Sequence, residues 1–184
     1  MAGNYAYMGK GIVTMKREGS SDPAIDIGNV SALAFTPTEN VINAPNYRTP
    51  GGGNYAQVRR IETVEVSMTL YDLSPENLAM VLFGTVTKSG GRAVIEALTT
   101  GAQTFEMVFN GVNEVDSSRD VIVTAYRVKI GAAQGLGFIG DEFGTLEVTG
   151  ELLIDTTKTG AGVSQFFNVD MALAPEDIEE TVTP

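Results

Sequence analysis

The chain contains no cysteine, no histidine and no tryptophan, and each absence closes off a set of possibilities. Without cysteine there is neither a disulfide framework nor a thiolate metal site, and no clue to redox compartment. Without histidine, Ser-His-Asp and Cys-His catalysis, imidazole-based zinc or iron sites and the usual general base near neutral pH are all removed. Carboxylate, lysine, tyrosine and Ser/Thr chemistry remains. Positive charge is also scarce: 12 Lys and Arg stand against 23 Asp and Glu, a formal net charge of −11, which argues against a surface that grips phosphate backbones. It leaves open a surface along which nucleic acid slides without sticking. No apolar run approaches the roughly 18 residues of a membrane helix. The N-terminal MAGNYAYMGKGIV lacks the basic segment and apolar core of a secretory signal. A soluble protein made in the cytoplasm, with no membrane partner, is expected.

What is present points to strands. The length of 184 residues suits one domain with a sizeable core, and the 21 glycines, abundant Val and Thr and frequent turn signals indicate a mainly β protein. The most legible stretch is Val58 to Gly84. From Thr63 to Leu70 the residues alternate strictly, with Val64, Val66, Met68 and Leu70 on one face and Thr63, Glu65, Ser67 and Thr69 on the other, as in a half-buried strand. Ser74-Pro75-Glu76-Asn77 then supplies an N-cap hydroxyl, a first-turn proline and an acid in the positive first turn. It opens a short helix over about residues 75–83, with Leu78, Val81 and Leu82 as its apolar stripe and Gly84 as its stop. So short a helix needs a sheet to lie on.

Other strands are expected at 11–16, 30–36, 93–98, 104–110, 121–130, 145–154 and 163–173. Thr85 to Arg92 reads as a polar turn around Gly90-Gly91, and Asn110-Gly111 and Asp116 to Arg119 as further turns. The last two strands, separated by DTTKTGAG, are expected to pair as a hairpin, with Leu146, Val148, Leu152, Ile154 and the odd-numbered residues from Val163 to Leu173 inward. Val121 to Ile130 is apolar on both faces, which predicts a second covered surface. Residues 174–184 form an acidic tail after a single domain at 1–173.

Pro37 to Gln57 stands apart, with three prolines, Gly51-Gly52-Gly53, four asparagines and no periodicity. A structureless loop this long is uncommon in a compact domain unless it is functional or disordered. It is expected to be a loop arm that orders against a neighbouring subunit, with Tyr47, Arg48 and Tyr55 as anchors of the kind enriched in interfaces. The glycine triplet lacks the following Gly-Lys-Ser/Thr of a phosphate loop. Asp141-Glu142 is the nearest approach to a carboxylate pair, but adjacent strand residues point to opposite faces. No catalytic, cofactor-binding or metal-binding residue is expected, and a two-carboxylate enzyme is disfavoured. The inventory favours a β-sandwich or small barrel with one helix. A carbohydrate-binding module of that shape is the principal rival, weakened by the missing tryptophan.

The order of pieces resembles the major tail tube proteins of long-tailed (siphovirus-type) bacteriophages. The helix Asp72-Leu73-Ser74-Pro75-Glu76-Asn77-Leu78-Ala79-Met80-Val81-Leu82-Phe83-Gly84 follows a long alternating strand. Phe109 to Asn113, Ala125 to Val128 and Phe143 to Asp155 then follow in the family's order, so that the likeness covers about residues 10–173. The resemblance implies a β-sandwich or split-barrel tail-tube fold, six copies forming a ring and rings stacking into a tube that conducts the genome. It implies no catalysis and no cofactor. Implied partners are other copies of the chain, a tape measure protein, a tail terminator and tail-tip proteins, with DNA passing through the lumen without specific binding and the virion tail as the final location. The extra C-terminal immunoglobulin-like domain of some relatives is expected to be missing. A contractile-tail or secretion-like tube is a second member of the same class. On this basis Thr63, Glu65, Ser67 and Thr69 are expected to face the lumen, and Tyr47, Arg48, Gly51, Gly52, Gly53 and Tyr55 to lie in the arm between subunits.

Overall fold

The computed structural model describes residues 6–116, 119–133, 135–137 and 139–173. Their elements are β1 (Gly9–Arg17), β2 (Ile25–Asp26), β3 (Val30–Pro45), β4 (Asn54–Leu70), α1 (Pro75–Val81), β5 (Thr85–Ser89), β6 (Arg92–Glu96), β7 (Thr104–Asn113), β8 (Asp120–Ile130), β9 (Leu146–Leu152) and β10 (Phe167–Met171). The protein is mainly β, and its described residues hold one short helix.

The principal sheet runs β2-β1-β7-β8-β9-β4-β3, and β10 pairs with β8 beside that path. All its pairings are antiparallel. It divides at β8, whose first half (Val121 to Ala125) pairs with β10 and whose end (Val128 to Ile130) pairs with β9. The two wings that diverge from this shared strand enclose one core. Val13 and Met15 of β1, Met107 of β7, Ala125, Val128 and Ile130 of β8, Leu146, Val148 and Leu152 of β9, and Val64, Val66, Met68 and Leu70 of β4 are all buried together. Each large member contributes about 1.5–3 kcal/mol by leaving water. Phe35 of β3 stacks on Phe167 of β10, with ring centroids 5.2 Å apart, and so ties the wings together.

The helix is held by specific polar contacts rather than by its length. Ser74 Oγ accepts from the Asn77 N–H at 3.1 Å. The buried Asn77 side chain donates to the carbonyls of Ile27 and Asp72, both at 2.9 Å. Glu76 pairs with Lys88 of β5. That ammonium, and then Glu76's own backbone N–H, hold the carboxyl below its ordinary pKa. Its stabilisation is therefore fully present above the ordinary carboxylate range and is lost as pH falls through the lowered value.

The helix ends one step earlier than the glycine signal predicts. Phe83, not Gly84, takes the left-handed conformation, with φ of 50°. The N–H of Gly84 reaches Ala79 O at 2.8 Å and that of Phe83 reaches Met80 O at 3.4 Å, which is a Schellman closure. Gly84 is needed for space: a Cβ there would press on the backbone carbonyl of Glu96.

Four sequence expectations are corrected. Pro37 to Gln57 is not a structureless loop, because β3 and β4 pair from Val30↔Leu70 to Pro45↔Asn54, with register shifts at Val30/Ala32, Thr38/Glu39 and Ala44/Pro45. Pro37 is tolerated because β3 is an edge strand, where alternate N–H groups point away from the sheet and have no ladder bond to lose. Asn110-Gly111 is no turn; β7 runs through it to Asn113, and Gly111 sits opposite Gly11 of β1. The Phe109 ring occupies the space where side chains at both glycines would go. Residues 85–92 are not merely a turn. They hold β5 and the first residue of β6 around a two-residue turn, with Gly90 and Gly91 both at positive φ.

Finally, β10 does not form a hairpin with β9 but joins β8. Residues such as Val163, Val169, Met171, Leu173 and Ile154, expected inward, are about half exposed. The acidic tail 174–184 and residues 117 and 118 of the expected 116–119 turn lie outside the described residues.

Substituting Gly111→Val should therefore destabilise the domain by about 1–3 kcal/mol, as overpacking does. Urea unfolding would show the loss as a lower midpoint at unchanged slope.

Candidate functional site

The surfaces to consider are those the fold leaves open. Among the described residues, no group of three or more acidic side chains is placed to hold a metal. Asp141 and Glu142 are both exposed. Two surfaces stand out, and both are built on β4.

The first is the outer face of the wing formed by β3, β4 and β9. Burial of Val64, Val66, Met68 and Leu70 turns Thr63, Glu65, Ser67 and Thr69 away from the core, Glu65 and Ser67 exposed and the threonines half-buried. Ladder partners share a face, so the register adds Ala32, Ala34, Thr36 and Thr38 from β3 and Glu147, Thr149 and Glu151 from β9. The result is a surface of small and hydroxylated side chains bearing three carboxylates, with Lys129 of β8 beside Glu151 as a cation at its border. Glu65 lies directly opposite Glu151, an arrangement that works against stability. Thr63, Glu65, Ser67 and Thr69 are thus brought together as expected. Their neighbours on β3 and β9 escaped sequence reading, because alternation reveals a strand's two faces but not which strands lie side by side.

The second is the distal part of the β3–β4 hairpin. A shift between Thr38 and Glu39, where β4 accommodates the extra residue Glu62, separates it from the body. Beyond this bulge, the register places Glu39, Val41 and Asn43 with Gln57, Arg59 and Ile61 on one face, and Asn40, Ile42 and Ala44 with Ala56, Val58 and Arg60 on the other. The first face carries a polar chain. Asn54 and Gln57 donate to Asn43 Oδ1 at 3.0 and 2.8 Å, and Arg59 donates to Gln57 at 2.9 Å and to Glu39 at 3.2 Å. The second carries an apolar stripe, Ile42, Ala44, Ala56 and Val58, all exposed.

Tyr47, Arg48, Gly51, Gly52, Gly53 and Tyr55 gather at or beside the tip. Tyr47 is 90% and Tyr55 73% exposed. The tip is shaped by Asn46, whose N–H bonds Gly53 O at 2.9 Å and whose side chain bonds the Arg48 N–H and the Thr49 hydroxyl. The three glycines all take positive φ, the conformation for which glycine is suited. Between Glu39 and Ile61 the hairpin holds three arginines against one glutamate, so it is the basic part of an acidic chain. A lone two-stranded ribbon is marginal in water, and among the described residues nothing covers the apolar stripe of this one.

These features define a class: an antiparallel β domain with an acidic, small-residue sheet face and a protruding basic hairpin. Within that class the chain belongs to the family described as "Protein of unknown function UCP028589", whose model matches residues 6–94 and 88–170. No curated protein matches the chain. Among the described residues no helix is long and apolar enough to cross a membrane.

The Glu65–Glu151 opposition is directly measurable. Glu65→Gln should raise stability by about 0.2–1 kcal/mol, and the gain should shrink at high salt; chemical denaturation at two ionic strengths checks both.

Proposed function

We propose that this chain is a structural protein that assembles with copies of itself, in hexameric rings stacked into a tail tube of the long-tailed phage type. The observation that carries this reading is the distal β3–β4 hairpin, a paired ribbon whose Ile42, Ala44, Ala56 and Val58 are exposed, with no cover among the described residues. A second copy provides the missing surface at no cost in new structure. The contact is head-to-tail, because the hairpin is one feature and its receptor another, and such contacts build rings or open stacks rather than closed pairs.

In the assembled tube the face bearing Thr63, Glu65, Ser67 and Thr69 lines the lumen. Its carboxylates repel DNA phosphates, and its small side chains leave no bulky obstacle, so the genome passes without specific binding. The protein performs no catalysis and requires no cofactor. A tape measure protein, a tail terminator and tail-tip proteins are its further partners, and the virion tail is its place of action. This reading rests on the family resemblance and on the geometry of the two surfaces. A contractile-tail or secretion-like tube would use the same subunit and differ in its sheath partner.

Negative-stain microscopy of the concentrated full chain should show rings or hollow tubes; dispersed monomers that bind a glycan array would overturn the reading in favour of a carbohydrate-binding module. The double variant Ile42→Glu, Val58→Glu should keep the melting temperature of a folded monomer, since exposed positions move stability by only about 0.5 kcal/mol, yet abolish rings. Deleting Asn46 to Tyr55 should do the same.

A further inference from the structure

The hairpin requires a receptor, and the fold contains one candidate at the right place. At the far end of β4 from the tip, where Leu70 leads into α1, a groove of about 420 Å³ opens between α1, the β1–β2 connection and the start of β5. Its walls include Met15, Ile25, Met80 and Phe105. Thr100, which also lines it, has a buried hydroxyl without a hydrogen-bond partner. The carboxylates of Asp22 and Glu76 border it together with Arg17.

We infer that this groove receives the hairpin tip of a second copy of the chain, with Tyr47 seated between Met80 and Phe105 and Arg48 directed to Asp22. The inference rests on the proposal that the chain assembles with itself, and it names the receiving surface. Three observations converge on it. Tyr47 is the most exposed aromatic side chain of the hairpin, and a phenol combines an apolar ring for the groove walls with a hydroxyl that stays at the polar rim. Arg48 belongs to the basic part of the chain, and of the two carboxylates on the groove rim Glu76 is already paired with Lys88 while Asp22, among the described residues, is bonded only by the Ser20 hydroxyl and so offers Arg48 an acceptor.

The third observation is topological. Tip and groove lie at opposite ends of one 17-residue strand, about 3.3 Å per residue in length, so the tip cannot reach its own groove. A tip that fills the groove of the next copy displaces that copy along the β4 direction, and repetition gives an open stack with one polarity. The interaction that joins rings is then separate from whatever joins neighbours within a ring.

The absence of cysteine from the chain makes the test unambiguous. Two single-cysteine variants of the full chain, Thr49→Cys at the tip and Ile25→Cys in the groove, are mixed in equal amounts and oxidised. A docked tip holds the two thiols at high effective concentration, so the mixed disulfide should exceed the two homodimeric ones by about tenfold. Adding Tyr47→Ala to the tip variant should lower that excess at least tenfold, as loss of a central aromatic anchor does. Statistical mixing, or no disulfide, overturns the inference.

The same samples viewed by microscopy separate the two claims. Rings or tubes without mixed-disulfide preference would sink the groove and leave self-assembly standing. Preferred mixed disulfide without rings or tubes would keep the groove and sink the tail-tube reading.

Discussion

Burial of Val64, Val66, Met68 and Leu70 on one side of β4 is the constraint on which the rest of the structure depends. These four side chains are almost wholly inaccessible, and their alternation leaves no freedom in how the strand is rotated. A slip of one residue would send the whole apolar set into water and bring Glu65 into the core. With β4 held, β3 and β9 are placed on either side of it by their registers. The composition of the outer face follows without further choice: threonines from all three strands, alanines from β3, Ser67 from β4, and glutamates from β4 and β9.

The same strand carries the hairpin. Where the core ends, β4 and β3 continue as a ribbon, and the bulge at Glu62 marks the change. Beyond it hydrophobic burial no longer organises the pair. Backbone hydrogen bonds, the polar chain from Glu39 to Asn54 and a glycine-rich tip take over. At its other end β4 runs into α1, which is anchored by Asn77 and closed by a Schellman turn at Phe83. One strand thus connects the apolar core, the acidic face, the protruding tip and the groove beside the helix, and gives the molecule a direction. The proposed stacking of copies needs such a direction, since two different ends have to meet.

Elements were legible in the sequence where burial was one-sided. Thr63 to Leu70, Phe105 and Met107, and Leu146 to Leu152 alternate because one face meets the core and the other meets water. Ser74 to Asn77 announces the helix because its cap chemistry is local. The hairpin arm was visible as a peculiar stretch but not as strands: with both faces in water there is no alternation, and Pro37, Pro45 and Pro50 read as breakers although an edge strand and a tip accept them. Asn110-Gly111 misled for the converse reason. Its glycine serves a close approach to Gly11 under the Phe109 ring, and that neighbour is about a hundred residues away in the chain.

The sequence by itself determined the strand-rich class, the polarity of each strand's two faces, the capped helix and the acidity of the whole, since each of these depends on residues within a few positions of one another. Tertiary structure alone decided that β10 joins β8 rather than β9, that Glu65 stands opposite Glu151, that residues 37–57 belong to a paired ribbon, and that the hairpin tip and the groove beside α1 lie at opposite ends of β4. Each of these is a pairing between distant segments. Strand alternation states which way a side chain points but carries no record of the strand that will lie beside it.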